Sequence, residues 1–215
     1  ARDAANVAAS LNIPFYIINF EEEFNSIIEY FCKEYLEGKT PNPCIVCNQK
    51  LKFGKLLRFA RYLDASHVAT GHYARIERIN ERYVLKKGTD TRKDQSYVLF
   101  PLTQEQLAHA LFPLGEFTKV EVREMAVEMN LKTKDKPESQ EICFVTGKRY
   151  SDLIAEKAGS QIGTGLLKDT GGKFLGNHDG IHNFTIGQRK GLGVAFEKPR
   201  YVIDIDPVQN TVRIG

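Results

Sequence analysis

Helical and strand-forming patterns alternate along the first 72 residues, and this alternation limits the possible folds more than any other feature of the sequence. Apolar residues recur at helical spacing over residues 1–11 and again over 24–37. The run 15–20 is aromatic and β-branched like a strand, and the run 66–70 is predicted to be a short strand that ends at Gly71. Such alternation is typical of a parallel α/β sheet, so we predict an α/β fold.

After about residue 160 the sequence changes to a second, mostly β unit. Glycines separate short β-prone runs over residues 163–193. Further on, Asp206 and Pro207 form a favourable turn between two more such runs, 201–205 and 211–214. The chain therefore divides into an α/β part and a β-rich part.

The stretch between these parts carries local signals for a hairpin and several helices. A hairpin is predicted over residues 73–87, with its turn at Asn80-Glu81. We also predict a helix from an N-cap at Asn48 through Leu63, and another over residues 150–157. Two further helices open with capping boxes, which are Thr103 with Gln106 and Thr118 with Glu121.

Charge and cysteine content exclude several classes of protein. The 30 basic and 27 acidic side chains leave a net charge of +3, so any nucleic-acid surface must be local. No apolar run reaches the ~20 residues of a membrane helix, and no signal peptide precedes the first pattern. Four cysteines in 215 residues are too few for a disulfide scaffold. These features predict a cytoplasmic protein without membrane contact, whose paired cysteines bind metal or react.

The pair Cys44 and Cys47 is the first candidate for chemistry, since it lies between two prolines and a predicted helix start at Asn48. The positive end of a helix and nearby lysines favour the thiolate. The alternative interpretation is that both cysteines merely fill a turn.

Cys143 is the second candidate, and it acquires a function only if it meets Cys47. Three thiolates of Cys44, Cys47 and Cys143 could hold an iron–sulfur cluster with one open iron. Alternatively, one cysteine could accept a persulfide sulfur that another resolves as a disulfide. A structural zinc site would require a fourth ligand. Cys32 lies in a helical pattern and is predicted to be a core residue.

Three further segments have binding potential. Gly71 and His72 follow a predicted strand, where α/β sheets bind ligands, although a structural histidine is the simpler interpretation. The run Lys93, Asp94, Gln95 and Ser96, together with Arg92, offers charge and amide groups for phosphates. Alternatively, Asp94 or Ser96 simply caps a helix. The Gly-rich basic segment 182–193 could follow a phosphate backbone or form a solvated hairpin.

Five motifs occur in an order that resembles the bacterial tRNA-specific 2-thiouridylases of the PP-loop ATP-pyrophosphatase superfamily. They are PNPCIVCN at 41–48, ATGHYARI at 69–76, KDQSYVLF at 93–100, KPESQEICFV at 136–145 and HNFTIGQRKGLGV at 182–194. The resemblance implies three domains. These are a PP-loop α/β catalytic domain over residues 1–160, a small β-rich central domain over 161–198 and the beginning of a C-terminal β-barrel over 199–215.

The resemblance also implies a reaction, the 2-thiolation of the wobble uridine in Lys, Glu and Gln tRNAs. ATP with Mg²⁺ would adenylate the uracil O2, and a persulfide from a cysteine desulfurase or another sulfur carrier would supply the sulfur. Cys143 resembles the persulfide-carrying cysteine of the family, and Cys47 resembles the partner that forms a transient disulfide with it. A target base in such a site has to leave its stack.

Other site residues follow from the same motifs. Asn42, Pro43 and Cys44 match the segment that contacts the target base, and Gly71 matches an ATP contact. The residues that match tRNA contacts are His72, Lys93, Asp94 and Gln95. Known members carry an acidic residue at the position of Cys44, so a third thiol here favours a [4Fe–4S] cluster on Cys44, Cys47 and Cys143.

The 215 residues contain no counterpart of the family's SGGVDS-like pyrophosphate loop, which belongs upstream, and the barrel should continue downstream. We therefore expect this piece alone to be inactive toward ATP. Two other functions remain open at this point. One is a PP-loop synthetase that adenylates a small molecule, and the other is a zinc-stabilised RNA-binding module without catalysis.

Overall fold

A computed structural model describes residues 2–135, 142–145, 147–159 and 162–215. It divides the chain into two compact units. The first comprises residues 1–24 and 44–140, and the second comprises residues 25–43 and 141–215.

The helices lie close to where the periodicity predicts them. Their bounds are α1 Arg2–Ser10, α2 Glu21–Leu36, α3 Pro43–Val46, the π-helix Cys47–Leu56, α4 Leu57–Tyr62, α5 Gln104–Ala108, α6 Lys119–Glu128 and α7 Tyr150–Ala158. Short 3₁₀ turns occur at Ser96–Val98, Pro113–Glu116 and Ile181–Asn183. Both predicted capping boxes are present, at the starts of α5 and α6. None of the helices in the described part of the chain is long and apolar enough to cross a membrane.

The helix predicted to start after Asn48 begins earlier, so that prediction is wrong. It starts at Pro43 and runs without a break through α3, the π-helix and α4. Proline suits the first turn of a helix because its missing N–H would have no intrahelical partner there. Asn48 is buried within the π-helix and is therefore not an N-cap residue.

The strands confirm the α/β class. In the first unit, β1 (Val68–Ala69) pairs in parallel with β4 (Ala110–Leu111), and β2 (Ala74–Ile79) forms the predicted hairpin with β3 (Arg82–Lys87). Asn80 has a positive φ of 47° at the hairpin turn.

The second unit contains one sheet with the strand order β6-β5-β8-β7. Its strands are β5 Gly165–Asp169, β6 Phe174–His178, β7 Val202–Asp206 and β8 Thr211–Ile214. Strand β5 runs parallel to β8, and the other pairs are antiparallel. The sheet is open, so the described strands close no barrel. The expected boundary between residues 198 and 199 falls between strands of this sheet, and the three-domain division stays a prediction.

The strand predicted over residues 15–20 is wrong. The segment has no ladder partner among the described strands, and Ile17 is 79% exposed. Strand propensity reflects packing on a paired sheet, so it has little effect where no neighbouring strand lies alongside.

Each unit has its own apolar core. In the first unit, Phe53 of the π-helix and Leu99 are among the completely buried residues. In the second, Leu167 and Val212 lie at the centre of the sheet core, and Phe31 packs near Cys32 in a separate cluster. Cys32 is therefore a core residue, as predicted, and burial raises the pKa of its thiol.

Candidate functional site

The segment with Cys44 and Cys47 forms the start of the long helical run. Cys44 lies in the first turn of α3 and is exposed, whereas Cys47 is half-buried at the first residue of the π-helix. Backbone N–H groups in a first helical turn have no intrahelical acceptor, and the positive end of the dipole lies there. The thiol nearest to that end is Cys44. Cys47 lies about one turn further in, beside the unusual π-helical backbone, which is frequent at functional sites.

The next two residues attach this helix to a loop of the same unit. Asn48 is 1% exposed, and its Nδ2 donates a hydrogen bond of 3.1 Å to the carbonyl oxygen of Val98. Gln49 Nε2 donates to the carbonyl oxygen of Pro101 at 3.2 Å. The Oδ1 atom of Asn48 has no hydrogen-bond partner among the described residues. These contacts fix the position of the Cys47 segment relative to the loop that carries Lys93–Gln95.

That loop uses most of its polar atoms to hold itself together. Asp94 accepts hydrogen bonds from the N–H of Gly88 at 3.0 Å and from the hydroxyl of Ser96 at 2.8 Å. Burial opposes ionisation of Asp94, but these hydrogen bonds outweigh it and lower the pKa of the carboxyl. Gln95 exchanges two hydrogen bonds with the backbone of Tyr73. Lys93 is exposed. The roles of Lys93, Asp94 and Gln95 in tRNA binding stay predictions, and Lys93 is the residue best placed to reach a phosphate.

Two exposed aromatic residues in the same loop were not singled out by the sequence reasoning. Tyr97 is 61% exposed and Phe100 is 69% exposed, whereas Val98 and Leu99 between them are buried. Tyr97 lies within the 3₁₀ turn Ser96–Val98, and Phe100 follows two residues after its end. The signal in the sequence was the spacing itself, an outer pair of aromatic residues around an inner apolar pair.

Gly71 lies at the edge of the sheet where the parallel strands β1 and β4 end. It is exposed, and a Cβ placed on it would meet only Leu114 Cδ1, at an ordinary contact distance of 3.6 Å. The fold of the first unit therefore does not require glycine at this position. The predicted ATP contact stays a prediction, and it would explain why no side chain stands there.

His72 is buried, with Nδ1 2.7 Å from Thr70 Oγ1 and its ring edge-on to Phe112. Burial, with a smaller contribution from the charge of Lys52, lowers the pKa of His72 to about 4. The imidazole is therefore neutral near pH 7. If His72 contacts tRNA as the resemblance implies, it does so as a neutral hydrogen-bonding group.

The remaining candidate residues belong to the second unit. Asn42 is half-buried and Pro43 is buried. Cys143 lies exposed in a turn, and the adjacent Phe144 packs edge-on against Phe31 with 5.3 Å between ring centroids. Residues 136–141 of the motif around Cys143 lie outside the described residues. The pairing of Cys143 with Cys47 stays a prediction.

The basic segment 182–193 begins in a buried environment. His182 and the nearby His178 are both buried, and burial lowers the pKa of each imidazole. After them, Arg189 and Lys190 lie in non-strand backbone, and both are exposed. A phosphate contact by this segment stays a prediction, and it would come from these cations rather than from the histidines.

Metal binding has little support in the described residues. No group of three or more His, Cys, Asp or Glu side chains lies together there as a ligand set. The iron–sulfur cluster on Cys44, Cys47 and Cys143 and the Mg²⁺ that would accompany ATP therefore stay predictions.

Comparison with known proteins matches the chain to two families of domains. The family model described as the tRNA methyl transferase HUP domain matches residues 1–147, and that described as the tRNA methyl transferase PRC-barrel domain matches residues 151–215.

Individual curated proteins match almost the whole chain. The tRNA-specific 2-thiouridylase MnmA of Clostridioides difficile is 50% identical over 99% of the chain and 60% of the relative's own length. MnmA 1 of Thermoanaerobacter pseudethanolicus is 53% identical over 99% of the chain and 59% of its own length. The MnmA of Moorella thermoacetica is 52% identical over 99% of the chain and 60% of its own length. The chain thus spans about 60% of the length of these curated relatives.

Proposed function

This chain belongs to the tRNA methyl transferase HUP-domain family, and on that premise we propose that it is part of an enzyme that converts a tRNA uridine to 2-thiouridine. The relatives that match 99% of this chain carry the name tRNA-specific 2-thiouridylase. The observation that carries the proposal is the setting of Cys47. Its half-buried thiol stands on a helix that is hydrogen-bonded to a loop with an exposed lysine and two exposed aromatic rings.

The loop supplies what an unstacked RNA segment requires. Lys93 offers a positive charge for a phosphate, and Tyr97 and Phe100 offer ring faces on which bases can stack. The hydrogen bonds of Asp94 and Gln95 fix the backbone of this loop before RNA binds, which lowers the ordering cost of recognition. We propose tRNA, in its Lys, Glu and Gln isoacceptors, as the partner on this surface.

ATP fits the open edge beside Gly71, where a nucleotide can approach the backbone. In the proposed first step, the uracil O2 attacks the α-phosphorus of ATP, and pyrophosphate leaves. This step converts a poor leaving oxygen into AMP. Mg²⁺ would accompany the nucleotide, but the residues described provide no ligand set for it, so no step is assigned to the metal.

Sulfur transfer then uses the two motif cysteines. The terminal sulfur of a Cys143 persulfide, delivered by a cysteine desulfurase or a sulfur carrier, attacks C2, and AMP leaves with the C2–O bond electrons. The thiolate of Cys47 attacks Cys143 Sγ, which forms a Cys47–Cys143 disulfide and releases 2-thiouridine. A cellular dithiol reductant restores both thiols. Since no cluster ligand set lies among the described residues, no step is derived through a [4Fe–4S] centre.

The experiment uses the intact protein, purified without oxygen. It is incubated with ATP, unmodified tRNA-Glu and either sulfide or a persulfide donor, with and without iron reconstitution, and the nucleosides are analysed by mass spectrometry. We expect 2-thiouridine with the persulfide donor in both iron arms. A methylated uridine instead of a thiolated one, or no new nucleoside in any arm, would contradict the proposal. Product only after iron reconstitution would replace the disulfide route with a cluster.

A further inference from the structure

Gln106 joins two elements whose sequences are far apart. Its Oε1 accepts the N–H of Thr103 at 3.0 Å and so closes the capping box of α5. Its Nε2 donates to the carbonyl oxygens of Gln49 at 2.9 Å and Phe53 at 3.0 Å, both in the π-helix. A primary amide has two N–H groups and one carbonyl oxygen. The side chain of Gln106 thus uses both of its N–H groups and its oxygen on backbone partners.

The partners of Gln106 explain how an unusual helix is held. A π-helix is rare and occurs mostly as a single turn within an α-helix, so a run over Cys47–Leu56 requires support from its surroundings. Gln106 supports two of its carbonyl groups, and Gln49 in turn donates to Pro101. Cys47 is the first residue of this run, only two positions before Gln49.

We propose that Gln106 is a positioning residue for Cys47, because it holds the π-helix in register with the loop that carries Lys93, Tyr97 and Phe100. The geometry of Gln106 stands independently of any reaction, whereas its consequence for sulfur transfer rests on the proposed function. The side chain of Gln106 would then determine both the orientation of the Cys47 thiol and the extent to which Cys47 is buried.

The second capping box provides a matched control. Glu121 closes the box of α6 through Oε2, which accepts from the N–H and the hydroxyl of Thr118. These hydrogen bonds stay within the capping box and do not involve the π-helix. Glu121→Gln and Gln106→Glu are reciprocal exchanges that both keep an acceptor for the cap, since either residue is favourable at that position. Only Gln106→Glu removes donors to the helix of Cys47.

The test measures alkylation rates of Cys44 and Cys47 separately, by iodoacetamide labelling and peptide mass spectrometry of the intact protein. We expect Gln106→Glu to raise the rate at Cys47 by about tenfold, the scale of losing two neutral hydrogen bonds. The rate at Cys44 should stay unchanged because this thiol is already exposed. Glu121→Gln should leave both rates unchanged.

A further variant separates positioning from simple loss of structure. Thr103→Ala weakens the cap of α5 but leaves the two bonds from Gln106 Nε2 intact, so the rate at Cys47 should stay near that of the wild type. An unchanged Cys47 rate in Gln106→Glu, or an equal rise in Thr103→Ala or Glu121→Gln, would overturn the proposal.

The failure of this inference can be distinguished from failure of the proposed function. In the thiolation assay, Gln106→Glu should lower kcat more than it raises KM for tRNA, since the loop side chains remain. If Cys47→Ser still thiolates tRNA, the proposed role of Cys47 fails, while the alkylation result for Gln106 stands or falls separately.

Discussion

The two cysteines proposed to share the sulfur atom lie in contrasting surroundings. Cys47 is half-buried in a helix whose next two side chains are hydrogen-bonded to backbone groups of another loop. Cys143 is exposed in a turn, and its neighbour Phe144 contacts the apolar cluster of the second unit. The segment of Cys47 is held by directional polar contacts of its neighbours, whereas the segment of Cys143 is anchored by the apolar packing of Ile142 and Phe144. This difference suits a relay in which an exposed cysteine collects sulfur from a carrier and an oriented cysteine completes the transfer.

The exposed cysteine gives the largest predicted effect. Replacing Cys143 by serine removes the only sulfur that can carry the persulfide in the proposed route, so 2-thiouridine should fall below detection. Adenylation of the uridine should persist, because Gly71 and the loop of the first unit are unchanged. Release of pyrophosphate that depends on tRNA, measured beside nucleoside mass spectrometry, checks both expectations. A variant that still thiolates would remove Cys143 from the mechanism.

A second prediction concerns the first unit, where a glycine stands without a steric reason. Gly71→Ala should leave the fold intact, since its Cβ would meet only Leu114 at 3.6 Å. A methyl group in the path of a nucleotide should weaken ATP binding by about tenfold or more, the scale of a steric penalty in a packed contact. Isothermal titration with a non-hydrolysable ATP analogue measures the change.

The control for this variant is Gly115→Ala in the same unit. There a Cβ would lie 1.8 Å from the carbonyl oxygen of Ala74, so the substitution should destabilise the unit itself. A Gly71→Ala protein with unchanged Tm and unchanged ATP affinity would remove Gly71 from the nucleotide site.

Local signals predicted the local structure well. The hairpin turn at Asn80 and both capping boxes depend on residues at most three positions apart, and both appear in the structure. The predictions of a strand over residues 15–20 and of a helix start at Asn48 were wrong, because the structure of both segments depends on partners that are distant in the sequence. Asn48 is buried through a bond to Val98, 50 positions away, and residues 15–20 have no described strand beside them.

The candidate site divides along the same line. Motifs made Cys47, Gly71 and the Lys93 loop candidates, because a motif is a short run of sequence, and their roles stay predictions. Gln106 could not be found in this way, since its bond to Gln49 spans 57 positions and its sequence context shows only an ordinary helix cap. The burial of His72 was equally invisible, because it depends on the packing of Phe53 and Phe112 around the ring.

The third prediction uses that buried histidine to sharpen the contrast between the units. His72 has its pKa lowered from 6.5 to about 4 by burial, so the folded protein binds its proton only in stronger acid than the unfolded chain does. The stability from neutral His72 is complete above pH 6.5 and is lost as the pH falls toward 4. Its full size is about 3 kcal/mol.

Chemical denaturation at pH 7 and pH 4.5 measures this loss, and His72→Gln should reduce the difference between the two values. His178 and His182 have lowered pKa values as well, so the second unit should also weaken in acid. Hydrogen exchange followed by peptide separates the two units. If His72→Gln loses as much unfolding free energy between pH 7 and pH 4.5 as the wild type does, burial of His72 is not the source of the pH dependence.

The smallest effect is expected at Cys44, the thiol that separates the disulfide route from the cluster route. Cys44→Asp places a carboxylate in the first turn of α3, where the helix dipole favours negative charge, and the exposed position imposes no packing cost. If Cys47 and Cys143 alone carry the sulfur, 2-thiouridine formation should stay within about threefold of the wild type, since a change at an exposed position is usually worth about 0.5 kcal/mol or less. Iron analysis of the same preparations supplies the second readout. Loss of thiolation together with loss of bound iron would show that Cys44 is an iron ligand. Cys47 and Cys143 would then be ligands of one metal centre instead of the two cysteines of a sulfur relay.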